Sequence, residues 1–189
     1  LYAILGALAL EGTERRASFA RHGIRALLLY PMNALVSDQT ARLRRLLGDE
    51  RLASMMEERW GRRARFGMYT SRTPYPGVRK GARDKRHLDT LLGYYERLET
   101  SLKPDEQVLV AELKKRGRWP AKDVVKFYAR DLEETVIVKS GKRIGKENTL
   151  GHWGERFLTQ PEDRELLTRH EMQAQVPDLL ITNYSMLEY

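Results

Sequence analysis

Three short apolar runs, each ending in a polar corner, constrain the fold of this chain most. Residues 24–30 (Ile24-Arg25-Ala26-Leu27-Leu28-Leu29-Tyr30) are apolar except for Arg25 and stop at Pro31-Met32-Asn33. Residues 65–70 and 178–182 repeat the design, running into Thr70-Ser71-Arg72-Thr73 and Thr182-Asn183-Tyr184-Ser185. A run apolar at successive positions fits a strand buried on both faces of a parallel sheet, not one face of an amphipathic strand. Pro31 fixes its own φ, offers no N–H to a ladder and restricts Tyr30, so the first strand must end there. A helix follows over 33–47, with Leu35, Leu43, Leu46 and Leu47 at helical spacing, Asn33 as expected N-cap and Gly48 as expected C′ residue.

The pattern predicts an α/β fold whose corners all lie at the carboxyl ends of parallel strands, the edge where such sheets bind ligands. The three corners are rich in Thr, Ser and Asn and contain no carboxylate. Helix N-termini at such places present free N–H groups that suit an anion. A single polar corner is more often a plain helix cap; three in a row would match a nucleic-acid backbone.

Elsewhere the sequence predicts a helix over 1–10, a polar loop over 11–23 and a second helix over 49–60. Residues 78–176 change character. They are strongly charged, with helical stretches near 86–100 and 104–116 and a hairpin turning at Ser140-Gly141. They read as a mostly helical excursion that leaves the sheet after one strand and returns before the next, dividing the chain into 1–77 plus 177–189 and an insertion at 78–176. Both ends of the chain read as cut from a longer protein.

Charge adds a partner. The first 87 residues carry 18 Lys and Arg against 8 Asp and Glu, the remainder 16 against 18. Arg42, Arg44, Arg45, Arg59, Arg62, Arg63 and Arg65 stand in the basic part, and the planar fork of arginine suits phosphate. A solvated helix face is the competing explanation of this excess. With no cysteine there is no disulfide framework and no thiolate zinc site. This composition fits a cytoplasmic protein, and no apolar stretch is long enough to span a membrane.

Other chemistries find little support. His22, His87, His152 and His170 show no metal-pair spacing. Adjacent Glu133 and Glu134 do not share a face, and Ser18, Ser37 and Ser185 lack a nucleophile elbow. The glycines between Gly141 and Gly154 lack the Lys-Ser/Thr of a phosphate loop. Tyr94, Tyr95, Trp119 and Trp153 have the chemistry to stack bases but fit packing better.

The first corner and its helix, Tyr30-Pro31-Met32-Asn33-Ala34-Leu35-Val36-Ser37-Asp38-Gln39, resemble motif Ia of superfamily 2 DEAD/DEAH-box helicases. Phe66-Gly67-Met68-Tyr69-Thr70-Ser71 resembles the strand and turn that come next in that family. Pro177 to Leu187 resembles its motif Ib region, in the flavour of large bacterial helicases, several from anti-phage defence systems. The likeness covers residues 1–73 and 177–189; the middle of the chain matches nothing in the family.

This resemblance implies part of a RecA-like (P-loop NTPase type) domain, with a parallel sheet flanked by helices, that grips one strand of DNA or RNA, DNA favoured. It implies backbone contacts from Pro31, Met32, Asn33 and Arg42 at the first corner. Thr70, Ser71 and Arg72 would contribute at the second, and Thr182, Asn183, Tyr184 and Ser185 at the third. The G-x-x-x-x-G-K-[ST] loop and the acidic box are absent from these 189 residues. ATP and Mg²⁺ are therefore expected in the intact helicase and not within this piece, which would have no catalytic residues of its own. The insertion is a further candidate surface for a protein partner. The alternative is a non-catalytic module that binds nucleic acid or protein.

Overall fold

The computed structural model describes residues 2–71, 73, 94–124, 132–142, 144–152 and 159–186. Helix α1 (Tyr2–Glu14) and a short α2 (Arg16–Phe19) precede β1 (Ala26–Tyr30), α3 (Asn33–Leu47), α4 (Glu50–Trp60) and β2 (Phe66–Tyr69). After residues 94–99, which are helical, come α5 (Pro104–Lys115), β3 (Leu132–Ile137), β4 (Glu147–His152), β5 (Glu165–Leu166) and α6 (Arg169–Ala174). The described chain closes with β6 (Leu179–Asn183) and a 3₁₀ turn, Tyr184–Met186. Most of the 11–23 stretch is thus helical, where a loop is expected. Gly12 does not break α1, and it lies buried against the ring of Trp60.

Four strands form one parallel sheet in the order β1-β6-β2-β5. The three expected strands are present and adjacent: Ala26 to Tyr30 pair with Leu179 to Asn183, and Phe66 to Tyr69 with Leu179 to Thr182. One face packs Leu28, Phe66, Met68, Leu179 and Ile181 against Leu8, Phe19, Val36, Leu43, Leu47, Met56 and Trp60 of the flanking helices. Each fully buried side chain of this kind contributes roughly 1.5–3 kcal/mol of transfer free energy, making this core the main source of stability.

The fourth strand overturns one expectation. Glu165 and Leu166 pair with Phe66 and Gly67, so the 78–176 region rejoins the sheet as β5 before residue 177. A two-residue strand containing a glutamate carries no apolar signal. It is held by side chains: Arg44 of α3 donates a forked pair of hydrogen bonds to the buried Glu165 carboxylate at 2.7–3.0 Å, and the Ala121 N–H donates a further one at 2.9 Å. Gly117, at φ +67°, lies so close to the Ala41 carbonyl that a Cβ there would sit 2.0 Å from it. Gly67 similarly leaves room for Met172 of α6. A second small core, Leu98, Val110, Trp119 and Val124 with Tyr95 and Leu113, supports the region. Tyr95 and Trp119 meet edge to face at 5.0 Å inside it, as packing residues.

Only the antiparallel β3–β4 hairpin forms a separate sheet among the described residues. Its second strand starts at Glu147, later than the 140–141 turn suggests, and Gly141 and Gly145 before it are both at positive φ. Within the described residues, 78–176 is therefore mixed α and β, not mostly helical. His87 and Trp153 lie outside the described residues. No described helix is long and apolar enough to cross a membrane.

Candidate nucleic-acid interface

Parallel pairing puts every strand's carboxyl end on one edge, and with it a row of corners after β1, β6, β2 and β5. The first and third, after β1 and β6, are joined directly. The Asn183 side-chain amide donates to the Asn33 Oδ1 at 2.6 Å, and Ser185 Oγ donates to the Asn183 Oδ1 at 3.0 Å. Register explains the meeting, since Asn183 lies opposite Tyr30 and the chain turns into α3 three residues later.

That bond also corrects the expected cap. Asn33 is the first helical residue of α3, and the N-cap is Met32, in extended conformation and with no side-chain hydrogen bond. The Asn33 carbonyl oxygen is engaged by Asn183, leaving it no role at the helix end. The first-turn N–H groups of this 15-residue helix consequently have no side-chain cap. Gly48 ends the helix in a right-handed conformation at φ −77°, so it is not a left-handed C′ residue.

The second corner is tightly tied. Thr73 Oγ1 accepts from the Thr70 N–H at 2.8 Å and donates to the Met68 carbonyl, while the Thr73 N–H reaches the Thr70 carbonyl at 3.1 Å. Thr70 and Thr73 are buried, Ser71 is exposed, and Arg72 lies outside the described residues. At the third corner the Thr182 hydroxyl donates to the Tyr69 carbonyl at 2.6 Å, welding β6 to β2. The edge therefore divides its candidates in two. Thr70, Thr182 and Asn183 are buried and bonded within the protein, whereas Pro31, Met32, Ser71, Tyr184 and Ser185 are exposed.

Arg42 is not part of this edge. It lies nine residues into α3, about 13 Å along the helix from Asn33 at 1.5 Å per residue, in an exposed pair with Asp38 at 3.0 Å. Several other arginines of the basic half are also engaged. Arg25 and Arg62 converge on the fully buried Asp178 carboxylate at 2.6–2.8 Å, with the Arg65 N–H donating to it at 2.8 Å. Arg62 and Arg25 also lie over the Phe19 ring, at 4.2 and 5.2 Å. Arg63 pairs with Glu50 and Glu57. Arg65 is buried against main-chain carbonyls of Gln160 and Asp163. Arg25, Arg44, Arg62, Arg63 and Arg65 are thus structural, and the Asp178 cluster sits at the amino end of β6, opposite the corners.

The sequence pattern missed Arg169, which begins α6 beside the corner after β5. Its guanidinium donates to the Thr70 carbonyl at 2.7 Å and lies 5.0 Å from the Tyr69 ring centre. The capping box of Thr168 and Glu171 starts this helix and was a readable signal for a fourth corner. Behind it, Lys122 is buried between Asp163, at 2.7 Å, and Glu171. Burial raises the Glu171 pKa, against the opposing pull of Lys122. No group of three or more His, Asp or Glu among the described residues is placed to hold a metal.

No protein-family model matches the chain, and no solved structure matches it. The chain is 50% identical over 190 residues to the Druantia protein DruE of Escherichia coli (strain UMEA 4076-1). The alignment takes in 100% of this chain but 10% of that protein, so the chain spans about a tenth of the length of the curated relative it matches.

Proposed function

We propose that this chain is the strand-gripping part of an ATP-dependent superfamily 2 helicase or translocase that works in anti-phage defence. The observation that carries the reading is the Asn183–Asn33 bond at 2.6 Å, which links the two motif-like corners into one surface at the carboxyl edge of a parallel sheet. The uncapped first turn of α3 offers main-chain N–H groups to a phosphate. Exposed Ser71 and Ser185 can add neutral hydrogen bonds. Such contacts read no base sequence, which suits a motor that must release and re-grip at every step. The likeness to DruE along the whole chain supports the defence setting. In this reading the partner is one strand of DNA or RNA. ATP and Mg²⁺ are handled by parts of the intact protein outside these residues.

The test is fluorescence anisotropy of the full-length protein with a labelled oligonucleotide across a salt series. Binding should fall with salt at about −0.7 per phosphate contacted on a single strand. Affinity unchanged after substituting Ser71, Ser185 and Asn33 together would remove the corners from the interface.

A second reading has its own observation. Leu102, two residues before α5, and Val108 and Leu109 along it are 89%, 63% and 44% exposed. Apolar surface of this kind favours a protein partner on the 78–176 region. Loss of a co-purifying protein on Val108→Glu, with oligonucleotide binding intact, would separate this role from the first.

A further inference from the structure

We infer that Tyr184 and Met32 form a stacking platform for the bases of a single-stranded nucleic acid, so that this edge holds bases as well as backbone. The inference rests on the nucleic-acid reading above and names its substrate class. Tyr184 and Met32 are the chain neighbours of Asn183 and Asn33, the pair bonded at 2.6 Å, so that single contact brings both to one place. Tyr184 is 50% exposed and Met32 59%. Three of the polar side chains around them point inward: Thr70, Thr182 and Asn183 are at most 3% exposed, with hydrogen bonds made within the protein, while Ser71 and Ser185 are exposed. The edge thus offers outward an aromatic ring and a polarizable thioether beside the Ser185 hydroxyl, with Leu35, 39% exposed, one helical turn beyond Met32.

Charge selects the occupant. None of the corners at 30–33, 70–73, 167–169 and 182–185 contains a carboxylate, and Arg169 places a guanidinium at the corner beside Thr70. An aromatic platform on an edge that is free of carboxylates and carries a cation at the neighbouring corner complements a polyanion that has planar apolar faces. Every base has such a face, and stacking on an aromatic ring is tolerant of sequence. A duplex hides those faces within its own stack, so the strand must be single. The Asn33–Asn183 bond ties the two halves of the platform together.

The test uses the full-length protein, a poly-dT strand carrying one 2-aminopurine, and a matched strand in which several bases are replaced by abasic sites. The platform predicts a change in 2-aminopurine emission on binding and roughly ten-fold weaker binding of the abasic strand. Tyr184→Ala should weaken the base-bearing strand by a similar factor, leave the abasic strand unaffected and abolish the emission change. Tyr184→Phe should behave as the unaltered protein. Circular dichroism of Tyr184→Ala should be unchanged, since the side chain is half exposed. Equal affinity for the two strands, with no emission change, would overturn the platform while leaving backbone gripping intact. Resistance of Tyr184 to nitration in the free full-length protein would also overturn it, by showing that another part of the protein covers the ring. No binding of either strand would overturn the platform and the proposed function together.

Discussion

Asn183 and Asn33 are 150 residues apart in sequence and share one hydrogen bond of 2.6 Å. The bond fastens the end of β6 to the start of α3 and decides where the neighbouring side chains stand. Removing either amide leaves polar atoms without their partner, in Asn183's case at a buried position. Asn183→Ala should therefore destabilise by about 1–3 kcal/mol, and Asn33→Ala, at a half-buried position, by less. A double-mutant cycle read by urea denaturation should give a coupling of about 0.5–1.5 kcal/mol. Additive losses would show that the amides do not interact in solution.

Asp178 has a larger task. Its carboxylate is fully buried between two guanidiniums and a main-chain N–H. Taking it away leaves Arg62 without its carboxylate and Arg25 with Glu11 alone, in a site with little water. Asp178→Ala should destabilise by about 3–5 kcal/mol in chemical denaturation, although the residue lies far from the corners.

The 78–176 region should not behave as one removable unit. Deleting 80–176 removes β5, the Glu165 partner of Arg44 and the Ala121 contact with the main core, and the product should not fold. Replacing 132–152 by a short flexible link removes a hairpin that forms its own sheet and should leave a cooperative unfolding transition. Gly117→Ala offers a finer probe. It adds a Cβ both at positive φ and against the Ala41 carbonyl, and should cost roughly 1–3 kcal/mol.

Glu11 supplies a pH dependence. The hydrogen bond from Arg25 holds its pKa below the ordinary glutamate value of 4.5, with burial opposing and Ser18 assisting. A depressed folded-state pKa means that the unfolded chain binds the proton first. The contribution of this carboxylate is present above about pH 4.5 and is lost as the pH falls through its lowered folded value. Glu11→Gln should lower stability at neutral pH and flatten the acid limb of a stability–pH curve.

Strands β1, β2 and β6 could be read from the sequence because each is a run of apolar residues stopped by a turn former, and period and punctuation are local properties. That they are parallel and share an edge followed from the same local pattern. Strand β5 could not be read, because Glu165 belongs in a sheet only when Arg44, from a distant helix, satisfies it. The cap at Asn33 failed for a related reason, since the side chain with the best capping chemistry is held by Asn183. The arginines illustrate the limit most clearly. Their number suggested phosphate, but Arg25, Arg44, Arg62 and Arg63 each found a carboxylate in the fold. Pairing is a tertiary fact that composition does not record. Arg169 carries the opposite lesson: an arginine that the apolar runs do not single out stands beside the Thr70 corner.

Site-specific photocrosslinking addresses the central claim most directly. A photoreactive amino acid is placed singly at Ser71, Ser185 or Leu35 on the corner edge, and at Ile24, 49% exposed before β1 at the opposite end of the sheet. The full-length protein is then irradiated with a labelled single strand. The account predicts adducts from Ser71, Ser185 and Leu35, suppressed by unlabelled strand and by high salt, and none from Ile24. Adducts from Ile24 with silence at the three corner positions would contradict it, placing any nucleic-acid contact on the other side of the sheet.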